Sequence, residues 1–457
     1  MSRNVQHVRR SLLPLLVAIV AASTLGAGRV AGQYVVTEII DATGDGGNTL
    51  DAPYGIVVDA DGKVYVSGEG SNNAFEVTPT GTITQIIDET GDGAGHSLFG
   101  CRGIAVDNLG NVYVSGGFTD NAFSVFPGVG ATEIINVDGD GMGGILSAPR
   151  GIAADAAGNA YVVGEFSQNA FKIEPGGFIA EIIDNTGDGG HFLDGPFDVA
   201  VDTSGNVYVT GFLLNNAFKI TPGGIITQII DSTGDGAGNG LFQPFGIAVD
   251  VAENVYVTGF GSNNAFKITP GGTITQIIDS TGDGAGNTLG GTFGVAVDTD
   301  GTVYVTGSNS NNAFRITPAG LITQLIDSTG DGAGNDLLSP RGIAVAADGA
   351  VYVTGEFSDN AFKIAPEGPD DCNNNGIPDE DDIANCPPGE PTCADCNANG
   401  LPDECDPAFT DVGLFVEQLL DPEVADPELV CMYDENGDEA MNGTDIQEFV
   451  ERLLTDL

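Results

Sequence analysis

The 457-residue chain has no tryptophan, three histidines, and only 14 lysines and arginines against 65 aspartates and glutamates, for a formal charge of −51. Nucleic acids and anionic membranes are held by basic surfaces, so this scarcity of cations excludes both as partners. Self-repulsion in such a chain also calls for neutralising cations. Cysteine is nearly missing from the long front part, where Cys101 is the only one ahead of Cys372. Long apolar runs are absent as well. The stretch from Leu12 to Ala22 falls short of the roughly 18 to 20 residues that span a bilayer, and no later segment is apolar enough to span one. What remains is 41% apolar, too much for general disorder.

The short apolar run follows Arg3, Arg9 and Arg10 and precedes small residues around Val30-Ala31-Gly32. A basic end, a short apolar stretch and a small-residue cut site describe a secretory signal over residues 1–32. Removing it leaves ten basic residues against 65 acidic ones and predicts a secreted or cell-surface protein. In that oxidising setting Cys372, Cys386, Cys393, Cys396, Cys405 and Cys431 are expected to form disulfides, and six cysteines allow 15 pairings. The alternative is a zinc site from Cys393, Cys396 and Cys405, although no histidine lies near them.

Repetition sets the architecture. Asn-Ala-Phe recurs with its Phe at 75, 123, 171, 218, 266, 314 and 362, at intervals of 48, 48, 47, 48, 48 and 48 residues. The unit Ile274–Gly320 contains four runs, ITQIID, FGVAVD, TVYVTG and NAFRITP, rich in Val, Ile, Thr, Tyr and Phe and bounded by turn residues. These read as strands, and no run carries a sustained helical period. Four strands per unit, seven times over, predict an all-β fold: a seven-bladed β-propeller of four-stranded blades over residues 33–368. A parallel β-helix is the alternative, but its coils are shorter. The phase predicts closure: VVTEII (35–40) has no inner strands before it, NAFKIAP (360–366) lacks its outer strand, and each supplies the other's partner.

The pattern GDG…GIAVD…GNVYV…NN-x-F-x-ITP-x-G resembles NHL-repeat propellers, and the YVTG…NAF segment is similar to the related bacterial β-propeller repeat. The resemblance implies the propeller fold, shared by proteins of widely different activities.

In an antiparallel meander, the loops before GIAVD and after YVTG share one face. Two positions there vary together. Ahead of the inner strand stand Tyr54, Arg102, Arg150, Phe197, Phe245, Phe293 and Arg341. After the second strand stand Glu69, Gly117, Glu165, Phe212, Phe260, Ser308 and Glu356. One half of the mouth is therefore expected to be charged and the other aromatic. Either these residues form a ligand site for an extracellular glycan or protein, or they have drifted at tolerant loop positions.

The acidic loops, such as Asp279 to Asn287, place oxygens as calcium loops begin but lack the acid at position twelve. They read as turns or as calcium sites, the turn being favoured. The Asp ending GIAVD (Asp59, Asp107, Asp155, Asp202, Asp250, Asp298) occurs in six units and is expected to be structural. The catalytic candidates come down to His191 with Glu165 and Glu69, a set whose members the sequence does not show to meet.

The tail carries the calcium expectation. Asp371, Asn373, Asn375, Asp379 and Asp382 occupy positions 1, 3, 5, 9 and 12 of a loop with Gly376 at the bend. Asp395, Asn397, Asn399, Asp403 and Asp406 repeat them 24 residues later around Gly400. Residues 369–408 resemble thrombospondin type 3 repeats, which implies bound Ca²⁺. Beyond them, TDVGLFVEQLL (410–420) and TDIQEFVERLL (444–454) carry helical apolar spacing, and Asp434, Asn436, Asp438, Asn442 and Asp445 form one more loop. Residues 409–457 resemble an α-helical dockerin type I module (EF/F-hand loops) with Glu439 at the usual glycine position. That implies a cohesin-like or cell-surface partner.

Overall fold

The computed structural model describes residues 34–366 apart from Pro127. The expected signal segment and the whole calcium-loop and dockerin-like tail lie outside the described residues.

Within them the chain forms seven four-stranded antiparallel sheets. Blade 1 shows the plan: strand a is Pro53–Val58, b is Val64–Gly68, c is Asn73–Val77 and d is Ile83–Ile87. Strand a packs against strand a of the blades on either side, so the seven inner strands surround a central channel. Blade 7 combines strands a (Pro340–Val345), b (Val351–Gly355) and c (Asn360–Pro366) with a strand d drawn from the chain's beginning, Tyr34–Ile40. The closure expected from the repeat phase is present: the ring has no unpaired outer strand among the described residues.

The core is divided into wedges between blades. Tyr65, Ala74 and Ile87 of blade 1 bury against Leu98, Ile104, Val114 and Phe123 of blade 2, and Tyr352, Ala344 and Ala361 of blade 7 bury in the same way against Ile56, Val66 and Phe75 of blade 1. Every strand b is buried along its whole length, and each Phe of the Asn-Ala-Phe motif is fully buried. Both faces of these strands meet neighbouring blades, so the Val-Tyr-Val that opens most of them is a continuous rather than an alternating apolar run.

Polar latches explain the rest of the repeat. The residue before Asn-Ala-Phe takes a positive φ, as Asn72 (φ 55) does, and its side chain accepts the backbone N–H of Gly100 on the next blade at 2.7 Å. Asp359 does the same for Ala52 across the closure, at 2.9 Å. A second latch uses the hydroxyl of strand b. Ser67 Oγ accepts the Gly55 N–H at 2.9 Å and donates to the Arg102 carbonyl of blade 2 at 2.6 Å. The GIAVD aspartates are strand-end acceptors, as expected. Asp202 takes the backbone N–H groups of Ser204 and Asn206 and the Tyr208 hydroxyl.

Candidate functional site

Strand a of every blade carries a register break between its first and fourth residues, Pro53 and Ile56 in blade 1. Such bulges re-aim side chains. The seven positions expected ahead of the inner strand therefore stand inside it, at this bulge, and line the mouth of the channel. Tyr54, Arg102, Arg150, Phe197, Phe245, Phe293 and Arg341 all border a cavity of about 160 Å³ on the axis.

The charged half is fully paired. Arg150 Nε donates to Glu165 at 2.6 Å, Arg341 Nε to Glu356 at 2.6 Å, and Arg102 Nε to Glu69 at 2.8 Å. The last pair crosses blades. Blade 2 has Gly117 where blades 3 and 7 have Glu165 and Glu356, so Arg102 takes the glutamate of blade 1, where Tyr54 makes no use of it. A guanidinium so far withdrawn from water needs such a partner, whose attraction and hydrogen bonds offset the desolvation of both groups.

The aromatic half is one cluster. Phe212 stacks on Phe245 with centroids 5.1 Å apart, Phe197 and Phe293 lie 4.2 and 4.7 Å from Phe245, and Phe260 is 4.9 Å from Phe245. The halves touch at both ends. Arg150 lies 5.0 Å over Phe197 and Arg341 lies 4.4 Å over Phe293, cation–π contacts that fix the guanidinium planes.

The proposed catalytic set does not assemble. His191 is held by Asp188 of its own loop, with Nδ1 3.0 Å from Oδ2, while Glu165 and Glu69 are each bound to an arginine. The acidic loops spend their carboxylates on their own backbone: Asp279 accepts the Thr281 N–H and hydroxyl, and Asp283 accepts the N–H groups of Ala285 and Asn287. Among the described residues, no group of three His, Cys, Asp or Glu side chains is arranged to hold a metal. Cys101 is buried and unbonded.

Three features lay beyond the sequence reading. The first is Asp198. Six inner strands have glycine after the mouth residue because the blades approach so closely there; a Cβ on Gly246 would sit 2.6 Å from the Phe293 carbonyl oxygen. Blade 4 has Asp198 instead, lining the channel cavity. Its carboxylate accepts the N–H of Val199 at 2.9 Å and of Ile247 on blade 5 at 3.1 Å. Burial pushes its pKa up to about 6, against the lowering effect of those two bonds.

The second is a loss of latches beside it. Val163 replaces the strand-b hydroxyl in blade 3, and Leu214 stands where the other blades have Ser or Thr, leaving the buried Asn216 Oδ1 without a partner. The third is an apolar rim one residue beyond the Glu and Phe positions. Phe118, Phe166, Leu213 and Phe357 are 66%, 73%, 57% and 71% exposed, and Phe242 is 52% exposed. They belong to the paired loops of the mouth face, where Phe118 N–H meets the Phe99 carbonyl and Phe166 N–H meets that of Ser147.

No protein-family profile matches the chain, and no curated protein matches it. Solved structures share its fold. A streptogramin B lyase superposes with a TM-score of 0.57 at 18% identity, over 73% of this chain and 98% of its own. The virginiamycin B lyase of Staphylococcus aureus gives 0.57 at 17% identity, over 73% and 99%. YCF48 bound to a D1 peptide gives 0.51 at 9% identity, over 74% and 99%. At these identities the likeness is one of fold: this chain contains a seven-bladed, four-stranded β-propeller.

Proposed function

We propose that the propeller is an extracellular recognition module that binds a glycan or protein through the mouth face. The observation that carries this reading is the exposed rim of Phe118, Phe166, Leu213, Phe242 and Phe357 around a mouth already lined with Arg, Glu and Phe. Apolar side chains gathered on one face of a soluble domain mark an interaction surface. Arg and Glu would fix hydroxyl or amide groups while the aromatic faces cover apolar patches. NHL-like repeats, export through the 1–32 signal and Ca²⁺ in the tail loops belong to the same proposal, with residues 369–457 as a calcium-stiffened spacer or anchor toward a cohesin-like or cell-surface partner.

Glycan and peptide arrays probed with the full chain test it. Binding that disappears in Phe166→Ser and Phe357→Ser, with the melting temperature kept, supports the reading. A ligand bound equally well by both variants places recognition elsewhere.

One observation favours a second reading, a propeller lyase or hydrolase on a polysaccharide or lactone. Asp198 is the single acid on the channel wall at the glycine position, and its pKa near 6 suits proton transfer close to neutrality. On that reading Asp198→Asn abolishes turnover with binding preserved, whereas a recognition module has no turnover to lose.

A further inference from the structure

The described residues contain four arginines, Arg102, Arg150, Arg315 and Arg341, and three of them converge on the channel axis. In so acidic a chain that is a costly use of scarce cations. Glu69 and Glu356 take both Nε and Nη2 of Arg102 and Arg341, whereas Glu165 takes Nε of Arg150 alone, so each guanidinium keeps donors over and Arg150 keeps the most. Neither Nη of Arg150 has an acceptor among the described residues, and the Tyr54 hydroxyl between Arg341 and Arg102 has no hydrogen-bond partner among them either. Burial raises the Tyr54 pKa, against the lowering pull of Arg150, Arg341 and Arg102, so its oxygen remains an O–H donor. Opposite these donors, Phe197, Phe245 and Phe293 close the other side of the cavity.

We propose that this cavity takes a small organic monocarboxylate, with its carboxylate on Arg150, Arg341 and Tyr54 and its apolar body against the three phenylalanines. The inference rests on the reading of the mouth face as a recognition surface and names the chemistry accepted at its centre. Guanidinium donors already held in plane by an ion pair and an aromatic ring suit the flat carboxylate fork. About 160 Å³ is close to the size of an engineered cavity that admits benzene, so the space fits one ring or a short chain. Glu69, Glu165 and Glu356 cancel the charge of the three arginines and Asp198 adds a fourth acid to the cavity wall, which disfavours a dianion such as phosphate. The selection for a carboxylate is made by unspent, oriented donors rather than by net field. The competing ligand is an amine drawn by Asp198.

Isothermal titration of the full chain with phenylacetate, phenethylamine and benzyl alcohol separates these cases. Phenylacetate is expected to bind, with the amine and the alcohol at least about tenfold weaker, since a charge-assisted bidentate contact exceeds a neutral one by that much or more. Arg150→Gln should weaken phenylacetate by a similar factor. Tyr54→Phe, a milder change that leaves every ion pair intact, should weaken it severalfold. Tighter binding of the amine, no binding of phenylacetate to the folded protein, or affinity unmoved in both variants would overturn the proposal. Phe166→Ser and Phe357→Ser lie outside the cavity and report on the rim through array binding alone. Loss of array binding in those variants would therefore stand even if phenylacetate failed.

Discussion

Asp198 offers the sharpest test of the channel's electrostatics. Its folded pKa of about 6 exceeds the ordinary aspartate value of 3.8 because burial penalises the charged form. A raised acid holds its proton more tightly when folded, so stability is full below pH 3.8 and declines as pH rises through the window to 6. The raised pKa of Asp198 costs the fold about 1 kcal/mol at pH 4.5, where the folded protein holds the proton that the unfolded chain releases, and about 3 kcal/mol at pH 7.5, where the buried group is ionised, at 1.36 kcal/mol per pKa unit. Asp198→Asn keeps the shape and one acceptor oxygen and removes the charge. Urea unfolding of both proteins at the two pH values isolates this residue, because the many other carboxylates titrate alike in both. The variant lacks an acceptor for one of the Val199 and Ile247 N–H groups at every pH, a fixed cost, and above it the margin should shift in the variant's favour by about 2 kcal/mol between pH 4.5 and 7.5. A constant margin, or one that narrows toward pH 7.5, would refute the argument that desolvation governs this side chain.

Two further outcomes follow from the ring and the tail. Deleting Tyr34–Ile40 removes strand d of blade 7 and bares strand c, so light scattering should show association and the melting transition should fall; a monomer with unchanged melting would disprove the closure's importance. Calcium added to chelator-treated full chain should raise helical circular dichroism and protect residues 369–457 from proteolysis, since acids without basic partners compact only around the ion; identical digestion patterns with and without calcium would count against the tail loops as metal sites.

The blade plan was legible because the sequence repeats it seven times, and even the borrowed strand at 34–40 could be placed from the phase of the repeat. Comparing equivalent positions between blades also located the charged and aromatic halves of the mouth. It did not show that Arg102 would lean to Glu69 on another blade, because a pairing between blades depends on where Gly117 leaves a gap. Asp198 escaped although its signal was present: it is the one residue other than glycine at its place in seven inner strands. The repeated strand-end aspartates such as Asp202, four residues on, mask it in so acidic a chain. The rim of Phe118, Phe166 and Phe357 lies one position past Gly117, Glu165 and Glu356, and only exposure separates these rings from the buried Phe of each Asn-Ala-Phe. The charge and aromatic content of a loop are written in its residues, whereas the direction in which it faces depends on the bulge and the latch beneath it.

The origin of the last blade's outer strand has a consequence in time. Tyr34–Ile40 is the first of the described strands to be synthesised, and its partner Asn360–Pro366 is the last, about 320 residues later. At ~5–20 residues per second that is a wait of roughly 15 to 65 seconds, during which blades 1 to 6 can each form from contiguous chain while the oldest strand has nowhere to go. A chain cut short anywhere before residue 360 cannot complete its ring. The fold therefore inspects its own length as far as Pro366: only a chain that reaches this strand acquires the closed form, and one cut short before it is left with an edge that chaperones and proteases can recognise.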